Sequence, residues 1–555
     1  INGDWSSDVC SSDLKMEEED IISLHQAFEK ARPRSVKGDL LISSLNALYE
    51  ETLKNFEKLI RRPDGSRIYQ LLFRRGNKEL RDKLLKQLEP YFFEISTKIY
   101  SNYIMKTIIK KGNADNRAFV FNRLKGKFDV MLGHTIGKNI VELIYEKATI
   151  QQKNQMMMDF FGDEWKKSKK VLTFEEICNI NEKKKKLATE ALFKNVKKAI
   201  EKQAGNLRVT QKLMVLLGKD CPERLNEFTT DFKQFAFTFE GSQAAIMMFM
   251  NANQKDIRIA LKLIEDVPRV DVITGKVNGE DGNQAEEEQL EFEEEEEEEE
   301  AAEENQEEEA ALVPSTKTGT LAVDGFGWRV LACAISHLDC NDNDNFKVIQ
   351  EEIVPSLLQD WEFIRESTPG LRLMVRLITS VPSVFQGINY MKDTVNDKLK
   401  ELIISTFLQH VIDDVEILGK TADGSLFASK ILEYLKEKDN KSFQNLLNSI
   451  ITENHITDKV LHKMVRKAIQ VIGGAAAEKA TEIIKSYGIS KVLETPGAWV
   501  IFELNLNNKS LEKEVVEIIK KGKFNGKAIE KILNPESAFV KKPQKNGKKN
   551  GKKKH

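Results

Sequence analysis

The sequence has few of the patterns that mark membrane, secreted and metal-binding proteins. Its 555 residues contain no run of 18 apolar residues and no signal-peptide pattern, so we expect no transmembrane helix and no secretory leader. The five cysteines are scattered, without CxxC or His-rich zinc spacing: Cys10, Cys178, Cys221, Cys333 and Cys340. This spacing predicts reduced, buried thiols in an intracellular protein and no metal site.

Catalytic patterns are absent as well. The sequence has no phosphate-binding Gly-rich loop, no HExxH pattern and no Gly-x-Ser-x-Gly elbow. His134 and His337 lie in helical sequence without partners at ligand spacing, and Cys178 and Cys221 have no adjacent base. We therefore expect a protein that is not an enzyme and that carries no metal or cofactor.

Proline is also scarce, with 12 residues in the chain. Between about residues 18 and 268, stretches such as 80–88 and 187–200 place Leu, Ile and Phe at three- and four-residue spacing, which is typical of amphipathic helices. Gly76, Gly112 and Gly162 fall where such helices should end. The pattern predicts an α-helical chain.

The net charge of −2 hides two oppositely charged parts. Residues 280–309 hold 19 acidic residues and no Lys or Arg, including eight consecutive glutamates at Glu293–Glu300. The other 68 acidic residues face 85 basic ones, a formal charge of +17 that suits a polyanionic partner. The acidic block has too few apolar residues to fold, so we expect a disordered insertion, either a solvated loop or an internal mimic of nucleic acid.

The two ends of the sequence differ from the rest. Residues 541–555 carry eight lysines and no acid, which predicts a disordered tail. Such a tail is either a nuclear or nucleolar address and nucleic-acid tether, or merely solubilising. Residues 1–14 begin without Met, lack a helical period and look like translated sequencing adapter, so we expect no function for Trp5 or Cys10.

A five-residue motif recurs at a period of 36 residues. Ser66-Arg-Ile-Tyr-Gln70, Asn102-Tyr-Ile-Met-Lys106 and Lys138-Asn-Ile-Val-Glu142 each place two polar, two apolar and one polar residue before an apolar helical stretch. A period of this size predicts a solenoid, because one helical hairpin cannot bury its own apolar face. The first, second and fifth motif positions should share one exposed helix face, which favours a binding surface for an extended polymer.

The Ser-Arg-x-x-Gln motif at 66–70 resembles a base-reading triplet of Pumilio (PUF) repeats, in which each repeat addresses one RNA base. Over about residues 35–535 the sequence is similar to the Puf-A/Penguin branch of divergent nucleolar PUF proteins, which have a CPL-type C-terminal region. The similarity is strongest at 66–165, Thr238–Ser242, Thr421–Ser425 and Thr495–Trp499. It implies an all-α, right-handed α-solenoid of armadillo-like PUF repeats, in two sub-arrays at an angle.

Composition and resemblance together predict five segments. They are a non-native segment at 1–15, N-terminal PUF repeats at 16–268, a disordered acidic insertion at 269–319, C-terminal PUF-like or CPL repeats at 320–535 and a basic disordered tail at 536–555. In the C-terminal repeats the motif positions are mostly small or apolar, as in Ser425-Leu426 and Ala498-Trp499. There the helical shape should be kept while base reading is lost.

The PUF resemblance implies how the first two motifs would meet RNA. In the first, Ser66 and Gln70 would face the edge of a base, which by the PUF code is adenine, and the Arg67 guanidinium would stack on it. In the second, the Asn102–Tyr103 pair matches a uracil reader with a stacking ring. Lys106 replaces the expected glutamine and suits a phosphate better than a base edge.

The third motif departs further from the code. Glu142 would suit guanine, yet Lys138 replaces the small residue expected beside it and Asn139 is a poor stacker, and Lys138 and Glu142 could instead pair with each other. Basic residues beside the motifs are predicted to contact phosphates: Arg61, Arg62, Arg74, Arg75, Lys110, Lys111, Lys125 and Lys127. One full triplet and two partial ones predict backbone-driven affinity with weak sequence preference.

We therefore expect a protein that binds single-stranded or structured RNA, and also DNA, mainly through phosphates. The resemblance implies a monomer of the nucleus and nucleolus, without membrane association, that acts with ribosomal or assembly proteins in large-subunit assembly and pre-rRNA processing. Some members also repress translation of particular mRNAs. The alternatives are a HEAT- or armadillo-like scaffold that binds protein, and a sequence-specific mRNA repressor, which Lys106 and Lys138 disfavour.

Overall fold

The structure is a computed structural model that describes residues 16–168, 170–266, 269–270, 277–278, 313–380, 383–507 and 511–535. Almost all of the regular structure in these ranges is helical, which confirms the all-α solenoid prediction. The chain divides into two compact units, one ending at Asp256 and the other beginning at Ile257. The predicted segments at 1–15 and 536–555, and the acidic block at 280–309, lie outside the described residues.

The first unit is built from short helices joined by tight turns. Its α-helices are Glu18–Ala31, Gly38–Lys54, Phe56–Leu59, Pro63–Arg75, Lys78–Leu88, Phe92–Thr97, Asn102–Lys111, Ala114–Leu124, Phe128–Leu132, Gly137–Lys147, Ile150–Met157, Asp163–Lys166, Phe174–Cys178, Glu182–Glu201, Arg208–Asp220 and Phe239–Asn251. Helix Gln254–Lys262 crosses the boundary between the units. In this unit 3-10 helices span Glu89–Tyr91, Met158–Phe160 and, with a kink at Phe228, Pro222–Gln234; a fourth, Leu263–Asp266, lies just after the boundary.

The second unit repeats the same construction. Its α-helices are Lys317–Val323, Gly327–His337, Asn343–Val348, Val354–Gln359, Trp361–Glu366, Thr368–Ile378, Asp397–Asp413, Val415–Gly419, Ala422–Lys438, Asn440–Ile450, Glu453–Thr457, His462–Ile472, Gly474–Tyr487, Ile489–Leu493, Ala498–Asn507, Glu512–Lys521 and Lys527–Leu533. A π-helical turn spans Ile349–Ile353.

Within each unit, one helix of every repeat stacks on the corresponding helix of the next. The row of the first unit is α1 (Pro63–Arg75), α2 (Asn102–Lys111), α3 (Gly137–Lys147), α4 (Arg208–Asp220) and α5 (Phe239–Asn251). The row of the second unit is α6 (Gly327–His337), α7 (Thr368–Ile378), α8 (Ala422–Lys438), α9 (His462–Ile472) and α10 (Ala498–Asn507). The remaining helices are called outer helices below.

The core lies where the apolar faces of the row helices meet. Ile68 and Leu72 of α1 and Ile104 and Ile108 of α2 are fully buried, and each pair is four residues apart. This spacing places the two side chains of a pair on the same face of their helix. A repeat therefore completes its core only against its neighbours, as the 36-residue period predicts.

The 36-residue period is lost after Lys138 because the chain makes a detour between α3 and α4. Residues 148–207 hold several outer helices, of which Glu182–Glu201 is the longest. Even so, α4 packs directly against α3, so the detour leaves the row continuous. The interruption was visible in the sequence, but the direct packing of α4 on α3 was not.

A glycine precedes the motif in several row helices and allows the backbone of the preceding turn to approach the helix closely. A Cβ atom added at Gly65 would fall on the carbonyl oxygen of Leu59, and one at Gly241 on that of Phe235. Thr238 caps the start of α5 by accepting a hydrogen bond from the Gly241 amide, with Oγ1 and N 3.1 Å apart. Thr421 and the Gly424 amide repeat this cap at 3.0 Å in α8.

Two small antiparallel hairpins accompany the helices. Strand β1 (Arg269–Val270) pairs with β2 (Val277–Asn278), and β3 (Val384–Phe385) pairs with β4 (Ile388–Asn389). The second hairpin follows α7 and turns through Gln386 and Gly387, whose φ angles are +51° and +80°. Two positive φ values suit a tight two-residue turn whose twist matches that of the strands. This hairpin was not predicted from the sequence.

Candidate nucleic-acid interface

Hydrogen bonds at the helix starts fix the register of the motif along both rows. In α1, α2, α4, α5, α7 and α8 the amide of the first motif residue donates to the carbonyl four residues earlier. In α3, α6, α9 and α10 the amide of the second motif residue donates to the carbonyl three residues earlier. The second positions are therefore Arg67, Tyr103, Asn139, Lys212 and Gln243 in the first unit, and Arg329, Arg372, Leu426, Lys463 and Trp499 in the second.

The first and second motif positions differ sharply in exposure. Among these ten second-position side chains, only that of Gln243 is buried. Among the ten first-position side chains, only that of Lys138 is not buried. The prediction that both positions lie on an exposed face is therefore wrong for the first position: Ser66 is 3% and Asn102 5% exposed.

The buried polar residues of α1 connect it to the next repeat. The Ser66 hydroxyl donates to the Tyr100 carbonyl oxygen at 2.8 Å. Gln70 is 8% exposed, and its Nε2 donates to Ser66 Oγ at 3.3 Å while its Oε1 accepts from Thr107 Oγ1 of α2 at 3.3 Å. Ser66 and Gln70 thus satisfy each other and the neighbouring repeat, and the predicted exposure of Gln70 is also wrong.

The second motif combines a buried amide with a partly exposed aromatic ring. Asn102 Nδ2 donates to the carbonyl oxygens of Lys98 and Ile99, at 3.1 and 2.5 Å. Tyr103 is half-exposed, and Lys106 Nζ lies 4.6 Å from the centroid of its ring. This places a cation beside an aromatic face, a combination that can hold a stacked base and its phosphate.

The third motif joins α3 to the start of α4. Lys138 Nζ donates to the carbonyl oxygens of Lys202 and Gln203, at 2.8 and 3.0 Å. Glu142 accepts from the amides of Arg208 and Val209 at 3.1 and 3.2 Å. Burial raises the pKa of Glu142, and the two amides partly offset that rise. The proposed Lys138–Glu142 pairing is therefore replaced by contacts across the repeat boundary, while Asn139 remains exposed.

Several of the arginines predicted to contact phosphates have structural partners. Arg62 is 3% exposed, and its Nη2 lies 2.8 Å from Asp64 Oδ2, so it is removed from the predicted phosphate contacts. Arg75 Nη1 and Nη2 donate to four carbonyl oxygens at 2.6–3.0 Å, those of residues 31, 32, 33 and 36. Arg61 pairs with Glu94 at 2.6 Å and stays half-exposed, as does Arg74.

The predicted lysines are more accessible than the arginines. Lys110 and Lys111 are exposed at the end of α2, and Lys127 is exposed in the turn after helix Ala114–Leu124. Lys127 Nζ lies 5.1 Å from the centroid of the Phe93 ring, and Lys125 is half-exposed. These four lysines stay as predicted phosphate contacts.

A buried carboxylate holds the turn that carries Lys125 and Lys127. Asp159 is 1% exposed, and its Oδ2 accepts from the amides of Gly126 and Phe128 at 2.7 and 3.3 Å. Burial raises the pKa of Asp159 to about 7, although the two amides lower it. The conformation of this turn therefore depends on a carboxyl group that titrates near neutral pH.

The second-position cations outside the first three motifs were not predicted from the sequence. Lys212 is half-exposed on α4, and Arg372 and Lys463 are exposed on α7 and α9. Arg372 pairs with Asp423 of the next row helix, with Nε and Oδ2 3.1 Å apart. The capping Thr-x-x-Gly-Ser sequences at 238–242 and 421–425 were the available signal, because they mark the same point of a repeat.

The described residues also include cysteines and other side chains that can bind metals. Burial raises the thiol pKa values of Cys178, Cys221 and Cys340 to about 11, which keeps these thiols protonated at neutral pH. Within the described ranges no group of three His, Cys, Asp or Glu side chains is arranged to hold a metal ion. No helix in the described part of the chain is long and apolar enough to cross a membrane.

Comparison with known proteins agrees with this architecture. No family model matches the chain. Pumilio homology domain family member 6 of Saccharomyces cerevisiae is 25% identical over 230 residues, which are 40% of this chain and 35% of that protein. Human Pumilio homolog 3 is 23% identical over 211 residues, which are 36% and 33% of the two chains. The matched part of the chain thus spans about a third of the length of these relatives.

Two solved structures are similar over nearly the whole chain. The crystal structure of human Puf-A has a TM-score of 0.69 and 15% identity, and the match covers 93% of this chain and 99% of that one. Human Puf-A in complex with DNA gives a TM-score of 0.68 and 17% identity, with 94% and 100% covered. The chain therefore has the α-solenoid fold of these two structures. Its fold is of the Puf-A type, which confirms the resemblance seen in the sequence.

Proposed function

We propose that this chain binds RNA through phosphate contacts and base stacking, with little reading of base edges. The difference in side-chain burial between the first and second motif positions is the main support for this proposal. The first-position side chains, which would read edges, are buried in nine of the ten row helices, whereas the second positions, which would stack, are accessible in nine. Sequence reading needs free hydrogen-bonding groups at the base edge, while stacking and phosphate contacts do not.

The chemistry of the accessible side chains supports the same mode of binding. The second positions provide Arg67, Tyr103, Lys212, Arg372 and Lys463 in rows of stacked helices. Lysine and arginine bind phosphates, and the guanidinium and phenol planes stack on any base. The Puf-A crystal structure determined with DNA supports a nucleic-acid partner, and the proposal includes DNA as a second ligand.

The biological role that we propose is large-subunit ribosome assembly and pre-rRNA processing in the nucleolus, with a second role in translational regulation. It rests on the resemblance to nucleolar PUF proteins and on the eight lysines at 541–555, a nucleolar address in this proposal. Ribosomal or assembly proteins would be the partners of a monomeric chain. Crosslinking of the RNA bound in cells tests this role: reads concentrated in rRNA precursors support it, and reads confined to mRNA 3′ regions contradict it.

Binding itself is tested with the full chain and fluorescent 12-nucleotide RNAs. The test variant replaces two lysines at the end of α2, Lys110→Ala/Lys111→Ala. The matched control, Lys83→Ala/Lys86→Ala, replaces two exposed lysines of outer helix Lys78–Leu88. We expect the first variant to weaken binding and to reduce the slope of log affinity against log salt by about 0.7 for each lost phosphate contact. The control should bind like the wild type.

Two results would contradict the proposed mode. One is a short sequence bound a hundredfold more tightly than scrambled RNA at physiological salt, which requires edge reading. The other is an equal loss of affinity in the two double variants, which would mean that RNA contacts the row helices no more than it contacts the outer helices.

A further inference from the structure

Arg329 occupies the second position of α6 and is partly covered by another part of the chain. Its guanidinium carbon lies 4.7 Å from the ring centroid of Trp328 and 4.9 Å from that of Phe385. Its Nη1 also donates to the Gly325 carbonyl oxygen at 2.6 Å. The guanidinium is therefore held in position by α6 and the turn before it, and is contacted by one ring from the hairpin of β3 and β4.

The covering hairpin brings aromatic side chains to a cluster of arginines. Phe385 is 9% exposed, whereas its neighbour Val384 is 66% exposed on the other face of β3. Tyr390, which follows β4, lies edge-on to Trp328 with ring centroids 6.5 Å apart. Burial is the main cause that lowers the pKa of Arg329, and the charge of nearby Arg372 lowers it further. Arg372, which pairs with Asp423, thus lies near the covered guanidinium of Arg329.

The contact between Phe385 and Arg329 imitates the contact expected between a base and a stacking residue. In the first unit, Arg67 holds the same motif position and is exposed. The hairpin has only two paired positions, Val384 with Asn389 and Phe385 with Ile388. So short a hairpin is marginal by itself and needs its docked side chains to stay in place. A planar base stacks on an arginine at least as well as a phenyl ring does.

We propose that residues 383–391 form an intramolecular cover in which Phe385 occupies a nucleobase-stacking site on Arg329, and that single-stranded RNA displaces this ring. The cover makes binding to the second unit conditional, because a base must compete with Phe385 for the guanidinium. Arg329 stays in place when the ring leaves, since the Gly325 carbonyl and Trp328 continue to hold it. This inference rests on the proposed RNA binding and adds a site and its regulation to it.

The test measures binding of fluorescein-labelled oligouridine to the full chain. Phe385→Ala should tighten binding about three- to tenfold, the range expected from removing one partly buried cation–π contact. The double variant Phe385→Ala/Arg329→Ala should lose this gain. Phe385→Leu keeps an apolar side chain without a ring and should also tighten binding, which guards against disruption of the hairpin. Val384→Ala, on the exposed face of the same strand, is the matched control and should leave affinity unchanged.

An abasic oligonucleotide of equal length separates stacking from charge. If a base replaces the Phe385 ring, the Phe385 variants should not bind the abasic strand more tightly than the wild type does. An equal gain on the abasic strand would overturn the stacking site, and an unchanged or weaker affinity for oligouridine would show that the hairpin is a permanent part of the fold or of the interface. If the wild type binds no RNA, the proposed function has failed rather than the cover.

Discussion

At the scale of residues, the same motif serves two purposes that the sequence does not separate. Ser66 and Gln70 connect α1 to the next repeat, whereas Arg67 between them is exposed. Side chains four residues apart share a face, yet that face is partly covered by the neighbouring repeat. Base stacking would therefore depend on Arg67, while the packing of one repeat on the next depends on its neighbour Ser66 and on Gln70.

The exposed residues of the motif can be tested for stacking. Arg67→Ala combined with Tyr103→Ala should weaken RNA binding by about 1–3 kcal/mol for each lost stack. Because neither side chain is buried, the melting temperature should change little. Gel-shift titration and circular dichroism measure the two effects. Unchanged affinity in a folded double variant would remove the stacking role.

Ser66→Ala is the contrasting variant for this experiment. It removes the hydrogen bond to the Tyr100 carbonyl and should destabilise the protein by about 1 kcal/mol. The RNA affinity of the folded fraction should remain near that of the wild type. A large loss of affinity without a loss of stability would restore Ser66 as a base-reading residue.

The sequence identified the motif residues but not the roles of all of them. The exposure of Arg67 and Tyr103 agrees with the prediction from the helical period, but the same period also predicted exposure of Ser66, which the neighbouring repeat covers. The partners of Gln70, Glu142 and Arg75 could not be predicted, because Thr107, Arg208 and Ala31 lie in other repeats or helices. Such contacts depend on how helices pack, which one sequence without its fold does not specify.

At the scale of elements, the close approach at the glycine before the motif fixes how α1 follows helix Phe56–Leu59. Gly65→Ala places a methyl group against the Leu59 carbonyl and should cost about 1–3 kcal/mol of unfolding free energy. Gly474→Ala is the matched control, because a Cβ there meets nothing within 4 Å. Urea denaturation compares the two variants. Equal stability would mean that the turn before α1 can relax.

The turn at Lys125–Phe128 should make stability depend on pH. In the unfolded chain Asp159 titrates near its ordinary pKa of 3.8, and in the fold its pKa is about 7. The folded state therefore binds more protons between these values, so its stability falls as pH rises from about 4 to about 7 and then levels off. The full effect is at most about 4 kcal/mol.

Asp159→Asn should flatten this part of the stability profile, measured by urea denaturation between pH 4.5 and 8. The amide oxygen of Asn can still accept from the Gly126 and Phe128 amides, so the turn should keep its hydrogen bonds. Wild-type and variant profiles that run parallel would show that Asp159 is ionised throughout and that another group causes any slope.

At the scale of the whole molecule, the two most densely charged segments of the sequence lie outside the row helices. Residues 280–309 carry 19 acidic residues, and residues 541–555 carry eight lysines. The composition alone reveals these segments, as the helical period alone revealed the solenoid. Both segments lie outside the described residues. Deletion variants are therefore the direct test of their effect on binding.

Deleting the two segments should change RNA binding in opposite directions. The acidic block can compete with RNA for basic side chains, because exposed charges attract within a Debye length of about 8 Å at physiological salt. Its deletion should therefore tighten binding, most strongly at low salt. Deletion of residues 541–555 should weaken binding slightly, because it removes eight lysines, and should disperse a fluorescent fusion from the nucleolar location that we propose. Binding titrations at several salt concentrations, with imaging of a fluorescent fusion, measure both effects.

An affinity that the acidic deletion leaves unaltered at every salt concentration would make the block a passive linker, since screening by 19 negative charges cannot be independent of salt.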